Sequence, residues 1–369
     1  MMDSLIYIDN EDITDPATNL AIEEYVLRQM DPAHDYLMLC RNEPSVIVGR
    51  NQNVLEEIND DYARKKGIRI LRRLSGGGTV YHDLQNLNFS FITRYEPSRL
   101  HNFKFFNSPV VSVLRSLGVP AEMNDRNDIL ANGRKISGSA QFSSKGRMFS
   151  HGTLLFNSEL DEVNRVLSTR MKQIHSKSHK SVRSNVANIS GFLNQPMGIL
   201  EFRDHLMQGL LKNDAPGSRY RLTRADREHV REIRQSRYDQ WEWNIGRSPR
   251  FRISRTRILM DIKMTLELNV NKGHIENLSI KTEHVNGVKW DRPNPLDFSD
   301  ICSRLAGLRY DQQIIRTALE NLAIRESFYQ AGVGGYLDNT NRAGREGQLA
   351  GNISDFIGDI AQLIYGEDD

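Results

Sequence analysis

Cysteine is nearly missing from this sequence, with Cys40 and Cys302 the only two among 369 residues. Two thiols exclude a disulfide framework and a four-thiolate zinc site. Long apolar runs are missing too. No stretch of eighteen apolar residues occurs, and the opening MMDSLIYIDNED is acidic where a secretory leader is basic and then greasy. The expectation is a chain with no membrane span that works in the cytoplasm. The third absence is a surplus of one charge. Lys plus Arg number 49 and Asp plus Glu 47, a net of +2, too balanced for a protein whose affinity for nucleic acid rests on a basic surface. What remains is ordinary globular material, 38% hydrophobic and 26% charged, at a length that favours two domains.

Asp15 as a cap, Pro16 in the first turn and the apolar Leu20, Ile22, Tyr25, Val26 and Leu27 predict a helix buried on much of its circumference. Strand-like runs follow at 36–39, 45–48, 68–71 and 86–93, the last alternating Leu87, Phe89 and Phe91 with Asn88 and Ser90. A helix is expected over 109–117 and a strand over 152–157. Further on, an arginine-rich stretch spans 219–257, read chiefly as a solvated helix with Arg–Glu pairs, the rival reading being a docking surface for an acidic partner. A hairpin over 258–270 and 275–280 turns at Asn271-Lys272-Gly273, and two helices complete a small module. Strands and helices mix without a strict βαβ alternation, which predicts an α+β fold. The expected organisation is a large mixed-sheet domain over 1–255, a small α+β accessory domain over 256–335, and a polar link with a terminal amphipathic helix over 336–369.

The most informative stretch is Arg72-Arg73-Leu74-Ser75-Gly76-Gly77-Gly78-Thr79-Val80-Tyr81-His82-Asp83. Each glycine costs ~0.5–1 kcal/mol of extra chain entropy relative to alanine. Bare N–H groups approaching an anion are the usual compensation, and the flanking arginines and the His82-Asp83 pair favour a ligand loop over a plain turn. The stretch has no trailing Gly-Lys-Ser/Thr of a P-loop and no third glycine of a dinucleotide fingerprint; GxSxG and HExxH occur nowhere.

A second stretch holds Asp128, then Asn132-Gly133, a two-residue turn that should pair 129–131 with 135–137. Lys135 then projects from a strand beside Ser137 and Gly138, in space cleared for a ligand. A third, Ser150-His151-Gly152, offers His151. His175 and His179 are four apart, but their polar, basic neighbours indicate a loop, and no protein-held metal is expected.

In order and spacing, RNEPSVIVGRNQN, RRLSGGGTVYHD, NDILANGRKISGSAQ, HGTLLFN, SVRSNVANIS and YDQWEWNIGRSP resemble the lipoate–protein ligase A family, across roughly residues 5 to 335 and densely in the first two hundred. The resemblance implies the fold shared with biotin ligases and a C-terminal accessory domain. It implies that lipoate and ATP, with Mg²⁺, give lipoyl-AMP and pyrophosphate. The lipoyl group then passes to a lysine of an apo lipoyl domain, on a 2-oxoacid dehydrogenase E2 or the glycine-cleavage H protein. By the same resemblance Arg73, Ser75, Gly76, Gly77, Gly78, Thr79, Val80, Tyr81, Asp128, Ser137 and His151 bind the nucleotide or adenylate. Lys135 touches both the lipoyl carbonyl and the phosphate, and is the expected electrostatic catalyst. The basic stretch 172–183 resembles a loop that closes over the adenylate. Related amidotransferases carry a cysteine nucleophile near where this chain has Asn127-Asp128, so a thioester route is disfavoured. A biotin ligase and a non-catalytic lipoyl-domain binder, both on the same fold, compete with the ligase assignment.

Overall fold

The computed structural model describes residues 5–168, 174–181, 185–211, 218–259, 262–285, 298–320, 360, 361 and 363–365. By their internal contacts the residues fall into two units, Met1–Thr169 with His179–Ile245, and Arg170–Ser178 with Gly246–Asp369.

The first unit opens with β1 (Leu5–Asp9) and α1 (Pro16–Gln29), followed by β2 (Asp35–Arg41), β3 (Ser45–Val48), α2 (Val54–Glu57), α3 (Asp60–Lys65), β4 (Arg69–Arg72), β5 (Val80–His82) and β6 (Asn86–Arg94). Then come α4 (Phe103–Ser116), β7 (Ala121–Met123), β8 (Ile129–Ala131), β9 (Arg134–Ser137), β10 (Ser139–Ser144), β11 (Arg147–Leu155) and α5 (Leu160–Val166). A six-stranded mixed sheet runs β10-β11-β6-β2-β1 and ends on β13 (Arg219–Arg221), with β1 parallel to both of its neighbours. Two three-stranded sheets, β4-β3-β5 and β7-β8-β9, complete the strands of the unit. The α+β expectation is met.

Helix α1 shows why the sequence folds this way. Asp15 accepts the Thr18 N–H at 2.7 Å, Pro16 fills the first turn, where its missing N–H costs nothing, and ten residues of the helix are buried. Three of those ten are polar, Asn19, Glu23 and Glu24, which is unusual for a core helix and marks a site. On one side of the unit, Phe89, Phe91 and Leu154 from β6 and β11 pack with Phe106 and Val110 of α4 and Phe202 of α6 (Ile199–Leu211). On the other, α1 packs with Met38, Ile92 and Phe149.

Helix α4 begins six residues earlier than the proline suggested. Asn102 caps it, accepting the Phe105 N–H at 3.1 Å, and Pro109 lies inside it. The arginine-rich stretch contributes β13 and α7 (Arg224–Ile233), and its guanidiniums meet acids: Arg231 with Glu228, Arg227 with Glu11 at 2.7 Å, and Arg237 with Glu24 at 3.0 Å. The pairing is as expected, but the Glu24 carboxylate that Arg237 meets is buried rather than solvated.

In the second unit, β12 (Ile174–Ser176), β14 (Phe251–Leu259), β15 (Ile262–Asn271) and β16 (His274–His284) form an antiparallel sheet in that order. The run read as one strand over 258–270 is two, folding back after Leu259. Leu259 pairs with Ile262, and the sequence Leu-Met-Asp-Ile there carries neither Gly nor Pro, so nothing in its composition interrupts the apolar alternation. Residues 255 and 256 both lie within β14. Helices α8 (Ser299–Leu305) and α9 (Gln312–Glu320) follow. Ile360, Leu363, Ile364 and Tyr365 are buried, with the Tyr310 hydroxyl donating to the Ile364 carbonyl at 2.8 Å. Of the link and terminal helix expected over 336–369, residues 336–359, 362 and 366–369 lie outside the described residues.

Candidate active site

One cavity of about 310 Å³ gathers the sequence's main candidates within the first unit. Arg73, Gly77, Gly78, Thr79, Val80, Asp128, Lys135 and His151 all line it.

The glycine loop joins β4 to β5, which flank β3 on either side, the first parallel and the second antiparallel. Gly77 sits at φ +86°, a conformation a side chain resists. Gly49 is the loop's neighbour by necessity, since a Cβ there would lie 2.0 Å from the Gly77 carbonyl oxygen. The two arginines before the loop separate in role. Arg72 is fully buried and donates to the carbonyls of Gly49, Arg50, Gln52, Trp243 and Asn244 at 2.7–3.3 Å. It is a tether, not a ligand contact, which corrects the reading of both arginines as ligand charge. Arg73 lies beneath the loop. Its Nη2 donates to the Gly76 and Gly78 carbonyls, both at 2.7 Å, and its Nη1 to Ile47 at 2.9 Å. Burial lowers its pKa to about 10, opposed by the nearby Glu23 carboxylate, so it remains a cation at neutral pH.

Arg73 Nε donates to Ser75 Oγ at 2.9 Å, Ser75 Oγ lies 2.8 Å from His151 Nε2, and His151 Nδ1 lies 2.8 Å from Glu23 Oε1. Ser75 thus belongs to the support of the site and not to its lining. Gly76, Tyr81 and Ser137 do not line the cavity either. On β5 the side chains alternate, so Val80 and His82 face the cavity while Tyr81 packs into the apolar cluster with Val46, Val48 and Ala63. Ser137 is fully buried on β9.

The expected hairpin forms. Asn132 and Gly133 turn at φ +48° and +73° between β8 and β9. The Lys135 backbone is pinned on its free side as well, donating to Asn185 at 2.8 Å and accepting from Ala187 at 3.0 Å. Lys135 Nζ sits 2.8 Å from Asp128 Oδ1. Asp128 is placed by an Asx turn in which Asn124 Oδ1 accepts the Arg126 and Asp128 N–H groups, both at 2.9 Å. A Cβ at Gly138 would come within 3.1 Å of Lys135 Nζ, so the glycine is the clearance the ammonium needs.

Residues 179–181 cross the glycine loop. The Ser181 hydroxyl donates to Glu57 and accepts the Thr79 N–H at 2.9 Å; Gln52 Nε2 donates to the His179 carbonyl at 3.0 Å. Burial raises the Glu57 pKa, and its bonds from Ser181 pull it back. Of the basic stretch expected to close over the site, 172, 173 and 182–183 lie outside the described residues. His175 is on β12 and His179 lies outside any helix or strand, so their spacing of four is not helical.

The His82-Asp83 pair also divides. Asp83 accepts from Ser158 Oγ at 2.9 Å and Glu159 N at 3.2 Å, a structural task. His82 lines the cavity, its Nδ1 2.9 Å from Asn42 Nδ2. Burial pushes its pKa from the ordinary 6.5 to about 3, with Arg73 and His151 adding in the same direction. The unfolded chain therefore takes up a proton below 6.5 that the fold refuses. Stability should fall as pH drops from 6.5 toward 3, with no penalty above 6.5. His82→Gln should flatten that slope in urea unfolding between pH 6.5 and 4; an unaltered slope would mean that other groups set it.

Glu23 escaped the sequence reading, while Gly138 gives the clearance beside Lys135 that the sequence suggested. The signal for Glu23 was a carboxylate in a helix otherwise too apolar to hold one.

Comparison with known proteins identifies the family. The family model described as the lipoyl protein ligase A/B catalytic domain matches residues 15–211, more than half of the chain. Lipoate-protein ligase LplJ of Bacillus subtilis (strain 168) is 46% identical over 326 residues, 88% of this chain and 96% of that protein. Among solved structures, a bipartite lipoate protein ligase from Thermoplasma acidophilum, studied with its E2 lipoyl domain, is similar at TM-score 0.55 and 28% identity, covering 67% of this chain and 97% of that one. A lipoate-protein ligase A bound with ATP is similar at TM-score 0.54 and 29% identity, covering 67% and 99%. With its glycine loop, its lysine and its supporting arginine in one cavity, and with near-half identity along almost a whole relative, this chain belongs to the lipoate–protein ligase family.

Proposed function

We propose that the cavity binds lipoate and MgATP together, joins them as lipoyl-AMP with release of pyrophosphate, and then delivers the lipoyl group to a lysine of an apo lipoyl domain. Acceptors of this kind are the E2 subunits of 2-oxoacid dehydrogenases and the glycine-cleavage H protein. The observation that carries the reading is a fixed ammonium, Lys135 held to Asp128 at 2.8 Å, in the same cavity as a glycine loop braced by Arg73.

Lipoate's carboxylate attacks the α-phosphorus, and negative charge builds on the phosphoryl oxygens as pyrophosphate leaves. Donors fixed before the reaction lower that barrier most, because they need not reorganise. Lys135 meets the developing charge, and Arg73 keeps the glycine loop in shape. In the second step the acceptor amine attacks the acyl carbonyl and AMP departs. Mg²⁺ enters with ATP as part of the substrate, and Asp128 is the carboxylate beside the reacting phosphate.

A thioester route through an amidotransferase is the second reading, and one observation weighs against it. Cys40 lines the cavity, but burial raises its thiol pKa to about 12, so the nucleophilic thiolate is not populated at neutral pH. The test is exchange of labelled pyrophosphate into ATP. The expected result is exchange only when lipoate and Mg²⁺ are both present. Acyl transfer to a lipoyl domain from a thioester donor, without any such exchange, would overturn it.

A further inference from the structure

Glu23 has no assigned task in the chemistry, yet it is a buried carboxylate, 7% exposed, on a core helix beside the cavity. Its contacts form a directed chain. A guanidinium has only donors, so Ser75 Oγ must accept from Arg73 Nε. The Glu23 carboxylate can only accept, so a neutral His151 gives it Nδ1–H and turns an acceptor Nε2 toward the Ser75 hydroxyl proton. His151 is then the Nδ1–H tautomer and donates to Glu23 Oε1. Three consecutive hydrogen bonds of 2.8–2.9 Å thus run from a buried cation to a buried anion, their polarity set by the donor-only guanidinium at one end and the acceptor-only carboxylate at the other.

The other end of Arg73 holds the Gly76 and Gly78 carbonyls. A guanidinium is rigid and planar, so fixing its Nε edge fixes the direction of Nη2. We propose that Glu23 is a positioning residue for adenylation, acting through His151 and Ser75 to set the plane of Arg73 and so the shape of the glycine loop. The inference rests on the adenylation reading above. Glu24, its neighbour, belongs to a separate group, bonded to Arg28, Arg237 and Tyr238. It does not duplicate the role.

A buried carboxylate lining a cavity has a rival role, direct contact with the lipoyl chain, and the two separate by experiment. Glu23→Gln keeps the shape and an acceptor oxygen but removes the charge that balances Arg73. Ser75→Ala cuts the chain at its middle. Both should lower kcat/KM for ATP in pyrophosphate exchange by about ten- to a hundred-fold, the size of effect a misplaced loop produces. KM for lipoate should change by less than about twofold, and the double variant should be no worse than the poorer single one, since both break the same chain. Nitrogen-15 NMR gives a readout independent of turnover. His151 should be the Nδ1–H tautomer in the unaltered protein and should shift toward Nε2–H in Glu23→Ala.

A rise in lipoate KM with ATP kinetics intact would overturn the proposal, as would additive losses or a tautomer indifferent to Glu23. If Glu23→Gln does not fold, Ser75→Ala and the charge-keeping Glu23→Asp carry the same comparison. Absence of exchange in the unaltered protein would count against the adenylation reading, while the tautomer measurement would still decide whether the chain exists.

Discussion

Lys135→Ala should lower lipoate-dependent pyrophosphate exchange by ~10²–10³, the range found when one fixed donor to a developing oxyanion is removed. The loss should fall on kcat, because the ammonium's strongest contact forms only as charge builds on the phosphoryl group. The ammonium is held by Asp128, but the backbone of Lys135 is positioned by main-chain contacts alone. It stands on β9, just after the Asn132-Gly133 turn, bonded through its main chain to Asn185 and Ala187. Removing the side chain therefore leaves the fold intact, and thermal melting should barely move. It also leaves Asp128 without its partner, a bare carboxylate facing phosphate oxygens. Lys135→Ala with Asp128→Asn should consequently recover part of the loss. Lys135→Arg should rescue poorly, since a Cβ at Gly138 would already lie 3.1 Å from Nζ and the planar guanidinium is wider. An unchanged exchange rate in Lys135→Ala would remove the residue from the mechanism.

Arg72→Met should do the reverse, costing stability before it costs chemistry. Arg72 is fully buried, and five main-chain carbonyls accept its hydrogens. Methionine fills much of the volume and donates nothing. Each buried acceptor left without a donor costs ~1–3 kcal/mol. Since some recover through water or local shifts, a net loss of at least ~3 kcal/mol is expected. For a domain of this size that is a fall in thermal midpoint of roughly 6–12 °C. Arg72→Lys should recover little, because a single ammonium cannot reach both the 49–52 and the 243–244 carbonyls. A midpoint within about 2 °C of the unaltered protein would show that the tether is dispensable.

These two predictions also show what the sequence could and could not disclose. Arg72 and Arg73 are adjacent and chemically identical, but consecutive side chains leaving a strand point to opposite sides. One enters a cage of carbonyls and the other lies under the loop. Composition cannot say which is which before the strand is placed. The glycine loop, Lys135 and Asp128 were legible because this chemistry uses contiguous backbone, and because Asn132-Gly133 encodes its turn locally. The first helix was legible for the same reason, through its cap and its excess of apolar positions. Glu23 and His151 are 128 positions apart, and no local pattern joins them. The division of 258–270 between two strands was hidden because the sequence at 259–262 has neither Gly nor Pro, and the start of α4 because Pro109 drew the boundary to itself.

The separations in the Glu23–His151–Ser75–Arg73 chain bear on how the protein is made. The glycine loop leaves the ribosome well before residue 151, and long before residues 179–181 that lie across it. Until then the Gly76 and Gly78 carbonyls are held by an arginine whose Ser75 partner has no histidine to bond. Distant contacts of this kind bring no stabilisation until the whole intervening chain has been drawn in. The loop can acquire its full set of contacts only once residue 181 has been made, and a nascent chain stalled before residue 151 would carry every glycine of the loop without the histidine that Ser75 bonds.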